Sequence, residues 1–269
     1  MIIQHNMSAA NTNRQLGITN GNLSKSSEKL STGYRINRAG DDAAGLSISE
    51  KMRGQIRGLD QASTNAQDAI SLIQTAEGAL NETHSMLQRM RELTVQAAND
   101  TNVSADRDSI KAELDQLSSE ITRISTDTQF NTMNLLDGNF TGKFQIGANE
   151  SQRMEATIDD MSASALGVDD VQVTDSDTAT VSITTVNEAI EAVSKQRSTL
   201  GAVQNRLEHT IANDDNTSEN LQAAESRIRD VDMAKEMVGY SKDSILQQAA
   251  QSMLAQANQS TQGVLSLLQ

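Results

Sequence analysis

From Leu59 onward, apolar or small residues recur in alternating steps of three and four: Leu59, Ala62, Ala66, Ala69, Ile73, Ala76, Leu80, Thr83, Leu87, Met90, Thr94 and Ala97. Nearly six heptads without a break define a coiled-coil helix, because only a seam against another helix requires that period. Asp41 and Asp42 precede the stretch, and carboxylates there cap free amides at a helix start. Ile110, Leu114, Leu117, Ile121, Ile124 and Thr128 repeat the pattern, with Ser104 as the expected cap and Asp106 and Asp108 in the first turn. The link Asn99 to Val103 is short and polar, which makes the two helices antiparallel neighbours.

A third series runs by sevens through Val186, Val193, Leu200 and Leu207, meets Asp214, and resumes at Leu221 and Ile228. The aspartate inside the polar run 213–218 predicts a bend or fray. The fourth series is Val231, Ala234, Val238, Ser241, Ile245, Ala249, Met253, Ala257, Ser260, Val264 and Leu268. Near the N-terminus, Ile2, Ala9, Leu16, Leu23 and Leu30 lie seven apart, with His5 or Asn6, Thr12, Thr19 and Ser26 between them. So thin a stripe is marginal alone in water. The other chain end is its natural partner.

Between these series the period falls to two. Lys143-Phe144-Gln145-Ile146-Gly147, Met154-Glu155-Ala156-Thr157-Ile158, Val171-Gln172-Val173-Thr174 and Thr180-Val181-Ser182-Ile183-Thr184 alternate, punctuated by Gly, Asn and Asp. They read as short strands and hairpins. The expected fold is mainly α: a long antiparallel helical hairpin or coiled-coil rod, a small β-hairpin element at its tip, and the termini paired at one end.

Composition removes whole classes. The 269 residues include no Cys, Pro or Trp, five aromatics, and a net charge of -14. Without Cys there is no disulfide, thiol nucleophile or thiolate metal site. His5, His84 and His209 are scattered, so no metal or cofactor is expected. The acidic balance argues against nucleic acid, and no apolar run reaches the roughly 18 residues of a membrane span. The N-terminus, with no Lys or Arg before Arg14, is not a secretory signal. Asp41 with Asp42 lacks a third ligand, and Asp169, Asp170, Asp175 and Asp177 lack the Gly and Glu of a calcium loop. Neither a catalytic triad nor a phosphate loop is present, and an enzyme is not expected. An average chain would carry roughly thirteen prolines. Their absence suits uninterrupted helices, or rapid folding free of slow prolyl isomerisation.

Several blocks together resemble bacterial flagellin: Ser31-Thr-Gly-Tyr-Arg-Ile-Asn-Arg38, Asp41-Asp-Ala-Ala-Gly-Leu46, Ile56-Arg-Gly-Leu-Asp-Gln-Ala62, Ser71 to Leu80, Gln88-Arg-Met-Arg-Glu-Leu93, Thr128-Gln-Phe-Asn131, Leu200 to Leu207, Ala224 to Asp230 and Ala249 to Asn258. The blocks span residues 1–135 and 185–269. The resemblance implies a short form without projecting outer domains. Residues 1–40 would supply an inner-tube helix and spoke, 41–130 outer-tube helices, 131–184 the β-containing tip, 185–229 a returning outer-tube helix and 230–269 the second inner-tube helix. It implies a structural filament subunit for motility, extracellular and exported without a cleavable signal. It also implies partners: many copies of itself, an export chaperone, and cap and hook-junction proteins. Inner-tube assembly would fall to Ile2, Ala9, Leu16, Leu23, Leu30, Val238, Ile245, Ala249, Met253, Ala257, Val264 and Leu268. Gln88, Arg89, Leu93 and Glu113 match a subunit contact that vertebrate Toll-like receptor 5 recognises in some flagellins. A hook–filament junction protein, or a monomeric secreted coiled-coil adhesin or effector, is the alternative. Polymerisation into long tubes separates the three.

Overall fold

A computed structural model describes residues 6–266, with side chains to residue 259. Its elements are α1 (Met7–Thr32), α2 (Ala43–Ala97), α3 (Ser104–Asp127), β1 (Gln129–Phe130), β2 (Met133–Asn134), β3 (Thr141–Gln145), β4 (Arg153–Thr157), α4 (Ser176–Arg229) and α5 (Met233–Ser266). They form two compact units: a terminal unit, Met1–Gly54 with Asn220–Gln269, and a central unit, Gln55–Glu219.

In the central unit the seam residues of α2 become its core. Ala66, Ala69, Ile73, Ala76, Leu80, Leu87 and Met90 are buried together with Ile110, Leu114 and Ile121 of α3 and Val186, Val193, Leu200 and Leu207 of α4. The buried face of α2 is wider than one seam, since Leu72 and Leu93 join it. A helix packed against two partners needs two adjacent stripes. The α2–α3 pair is antiparallel: Arg107 Nε donates to Ala97 O at 3.1 Å, and Arg89 meets Glu113 at 2.9 Å. So is α2–α4, where Ser176 Oγ donates to Ala98 O, Arg197 approaches Glu77, Ser63 Oγ donates to Asp215 and Ser218 Oγ to Asp60.

The β elements are two antiparallel pairs, β1 with β2 and β3 with β4, the latter in register from Thr141 opposite Thr157 to Gln145 opposite Arg153. Met154 and Ala156 alternate inward along β4, and Gln196 Nε2 of α4 donates to Thr157 O at 2.9 Å. The strand expected at Thr180–Thr184 is instead the second turn of α4. Five alternating residues fit either period. Ala179, Ser182, Val186, Ala189 and Val193 all lie buried at steps of three and four, and that longer pattern decides the matter. Val171 and Val173 are buried without forming a strand.

Asp214 does not interrupt its helix. α4 is continuous from Ser176 to Arg229, because no Gly or Pro interrupts residues 202–229 and the backbone ladder survives a missing seam contact.

The helix starts follow the sequence with one shift. Asp42 Oδ1 accepts from Gly45 N at 2.9 Å, the N3 amide of α2. A Cβ on Gly45 would lie 2.5 Å from the Asp42 carboxylate and 2.8 Å from Ile36 Cδ1, so glycine leaves room for this cap. Asp41 instead accepts from the Asn37 and Arg38 amides, and those bonds, Arg38's first, hold its carboxyl below the usual range. Ser104 is the first residue of α3 rather than its cap. Val103 stands at the cap, and the Asp106 carboxylate accepts its amide. Replacing Asp42 by Ala should cost about 1 kcal/mol. Hydrogen exchange of the Gly45 and Leu46 amides, faster in the variant, is the check.

Candidate assembly surface

In the terminal unit, α1 and α5 run antiparallel. Asn6 caps α1 by accepting from Ala9 N and donates through Nδ2 to Ala257 O at 3.1 Å, while Gln247 Nε2 donates to Asn20 Oδ1 at 2.8 Å. Gly33 closes α1 with φ 76, its amide bonded to Lys29 O. Val231 N then donates to Gly33 O and Arg35 N to Arg229 O.

The weak N-terminal stripe is the one that packs. Ala9, Leu16, Leu23 and Leu30 are half-buried, and the polar positions between them, Thr19 and Ser26, are the buried residues of α1. Thr19 Oγ1 returns its proton to Gln15 O, so the hydroxyl is satisfied inside a seam of small side chains. On α5 the half-buried positions include Tyr240, Asp243, Gln247, Ala250, Leu254 and Ala257, again at steps of three and four.

The stripe expected on α5 therefore splits. Ala257 is half-buried, but Val238, Ile245 and Met253 remain 70%, 67% and 62% exposed, with Ala249 between them. The cause is arithmetic. From Ile245 the series advances by four through Ala249, Met253 and Ala257, and twelve residues rotate the stripe about 120° around the helix. Ala257 reaches α1 and Ile245 does not. Leu246, Met237 and Met233 add to the uncovered surface. α5 thus carries apolar residues both on the side it turns to α1, at Ala250, Leu254 and Ala257, and on its exposed side. Ile2 and the side chains of Val264 and Leu268 lie outside the described residues.

One cluster carried no sequence signal. Arg229 lies 4.8 Å over the Tyr34 ring and bonds Glu50 at 2.6 Å, while Ser49 Oγ donates to Glu225. The Arg229 bond is the main cause holding the Glu50 carboxyl below its usual range. Tyr34 and Arg229 are too far apart in sequence for any local period to pair them.

In the central unit, Arg89 is exposed and clamps Glu113 and Glu92, bonds that raise its pKa, Glu113's first. Gln88 pairs with His84 Nε2. Leu93 is 2% exposed and belongs to the core, whereas Gln88, Arg89 and Glu113 are exposed. Among the described residues no group of three or more His, Cys, Asp or Glu is placed to hold a metal, and no helix is long and apolar enough to cross a membrane.

The terminal helices are thus paired, leave an apolar side exposed, and are joined to a helical central unit. The N-terminal helical region of bacterial flagellin matches residues 3–141, and the C-terminal helical region matches 183–268. A flagellin of Halalkalibacterium halodurans is 59% identical over the whole of both chains. The flagellar filament 33 kDa core protein of Treponema phagedenis is 56% identical, again over both whole chains. The crystal structure of Bacillus cereus flagellin, 33% identical, covers 56% of this chain and 88% of its own with a TM-score of 0.50. The chain belongs to the bacterial flagellin family.

Proposed function

We propose that the chain works as a structural subunit of the bacterial flagellar filament, and that copies join through the free apolar side of α5. The observation that carries this is the exposure of Val238, Ile245 and Met253 along a helix whose opposite side is already packed. Contiguous apolar surface of that kind marks an interaction site. Residues 1–40 and 230–269 form the inner wall in this reading, and 41–130 with 185–229 an outer layer.

The charge distribution supports it. The terminal unit carries eleven Lys and Arg against nine Asp and Glu, a balance of +2; the central unit carries eleven against 27, a balance of -16. Like charge on closely packed copies is repulsive, and the unit proposed to pack most densely is the near-neutral one. Before assembly the same α5 surface needs cover, which an export chaperone would give, and cap and hook-junction proteins would meet it at the filament ends. Deleting residues 235–269 should leave a soluble monomer that never polymerises; negative-stain micrographs showing filaments of normal diameter would refute the assignment.

A second reading concerns Toll-like receptor 5. Arg89 presents a guanidinium fixed by two carboxylates on an exposed helix face, a pre-organised polar contact for a partner. Arg89→Ala should weaken binding of the monomer to the receptor ectodomain about tenfold or more, as loss of an interface arginine does. Equal affinities in a titration would remove Arg89 from that site.

A further inference from the structure

We infer that Met253 is an oxidation site that gates assembly, a modification by peroxide-class oxidants that blocks the free subunit and spares the assembled one. The inference rests on the assembly reading above.

Methionine is the only sulfur residue: eleven Met and no Cys. Met52 and Met86 are half-buried. Met90, Met154 and Met161 are buried in the central core. The exposed ones are Met7, Met133, Met233, Met237 and Met253, and all but Met133 lie on α1 or α5. Oxidisable surface is therefore concentrated on the two helices that form the assembly unit. Met253 is the most exposed of the three on α5, at 62%, and it continues the Val238, Ile245 and Ala249 series, while Met233 and Met237 are exposed outside that series.

The chemistry is a two-electron oxygen transfer. The thioether sulfur of Met253 attacks one oxygen of hydrogen peroxide, an S–O bond forms, the O–O bond breaks, and the departing hydroxide takes up the remaining proton as water. The sulfur is oxidised to a sulfoxide and the peroxide is reduced. The product replaces a flexible apolar side chain with a polar one. Burying that oxygen against apolar neighbours without a donor is unfavourable, so an oxidised subunit is refused by the surface that accepts the reduced one. Reductases that restore methionine can reach it only on the free chain.

The test needs no variant. Dilute monomer is treated with hydrogen peroxide to partial oxidation, then concentrated to polymerise. Filaments and supernatant are separated by sedimentation, and sulfoxide at each methionine is measured by peptide mass spectrometry. Met133, exposed on the central unit, is the internal reference, and Met90 is the buried control. Met253 sulfoxide should be depleted about tenfold in the filaments relative to the supernatant, the loss of roughly one buried side chain's transfer free energy, with Met133 sulfoxide equal in both. Preformed filaments should oxidise at Met253 far more slowly than at Met133. Equal Met253 sulfoxide in the two fractions, or equal rates at Met253 and Met133 in filaments, overturns the gate. Untreated chain that fails to sediment as filaments overturns the gate and the assembly reading together.

Discussion

Replacing Ile245 by glutamate should raise the critical concentration for polymerisation about a hundredfold while leaving the monomer folded. The side chain is 67% exposed in the single chain and lies away from α1, so the monomer loses little; surface changes usually stay within about 0.5 kcal/mol. If copies join through this side as proposed, the same position becomes buried in the polymer; an isoleucine is worth about 1.5–3 kcal/mol of burial, to which the carboxylate adds its own desolvation. Circular dichroism of the dilute variant should match the parent in helicity, and sedimentation at rising concentration reads the assembly. Leu23→Glu is the informative contrast. Leu23 sits on the α1 stripe against α5, so that variant should lose helical order in the monomer as well. If Ile245→Glu polymerises at the parent's concentration, the free side of α5 is not the assembly surface.

Much of the fold was legible because the central helices keep one period for many turns. Leu80, Leu87, Leu114, Leu200 and Leu207 are all buried where the heptads put them. The β3–β4 hairpin was readable as well, since alternation there is bounded by glycines and no helical period competes with it. What failed was short. Thr180–Thr184 gives too few residues to separate two periods, and the helix won through contacts with Val186 and beyond. Leu93 is the same lesson in reverse: its exposure depends on how many partners α2 has, which its own period does not state. The packing of α5 against α1 was half legible. Heptads on α5 were visible, but the stripe's rotation between Ile245 and Ala257 follows from its steps of four, and only the position of α1 shows which part is covered.

Asp214 carries the other large expected effect. It takes the place of the next leucine after Val186, Val193, Leu200 and Leu207, and it is 7% exposed in a continuous helix. Its Oδ2 has no hydrogen-bond partner. Burial, and next the charge of Asp215, push its carboxyl pKa up. Ser63 and Ser218 bond Asp215 and Asp60 instead, so neighbouring hydroxyls are already engaged. A buried carboxylate oxygen without a partner costs about 1–3 kcal/mol, and a leucine there would recover burial besides. Asp214→Leu should therefore raise the melting temperature of the dilute monomer by about 5–10 °C at neutral pH, at about 2–4 °C per kcal/mol for a unit of this size. Asp214→Asn isolates the charge. Because the folded chain holds this proton more tightly than the unfolded one, the parent loses stability as pH rises from the ordinary carboxylate range through Asp214's raised value. The Asn variant's advantage should be full at neutral pH and vanish below the ordinary carboxylate pKa. A gain that stays constant across that range would mean that the seam, and not the ionised carboxylate, sets the difference.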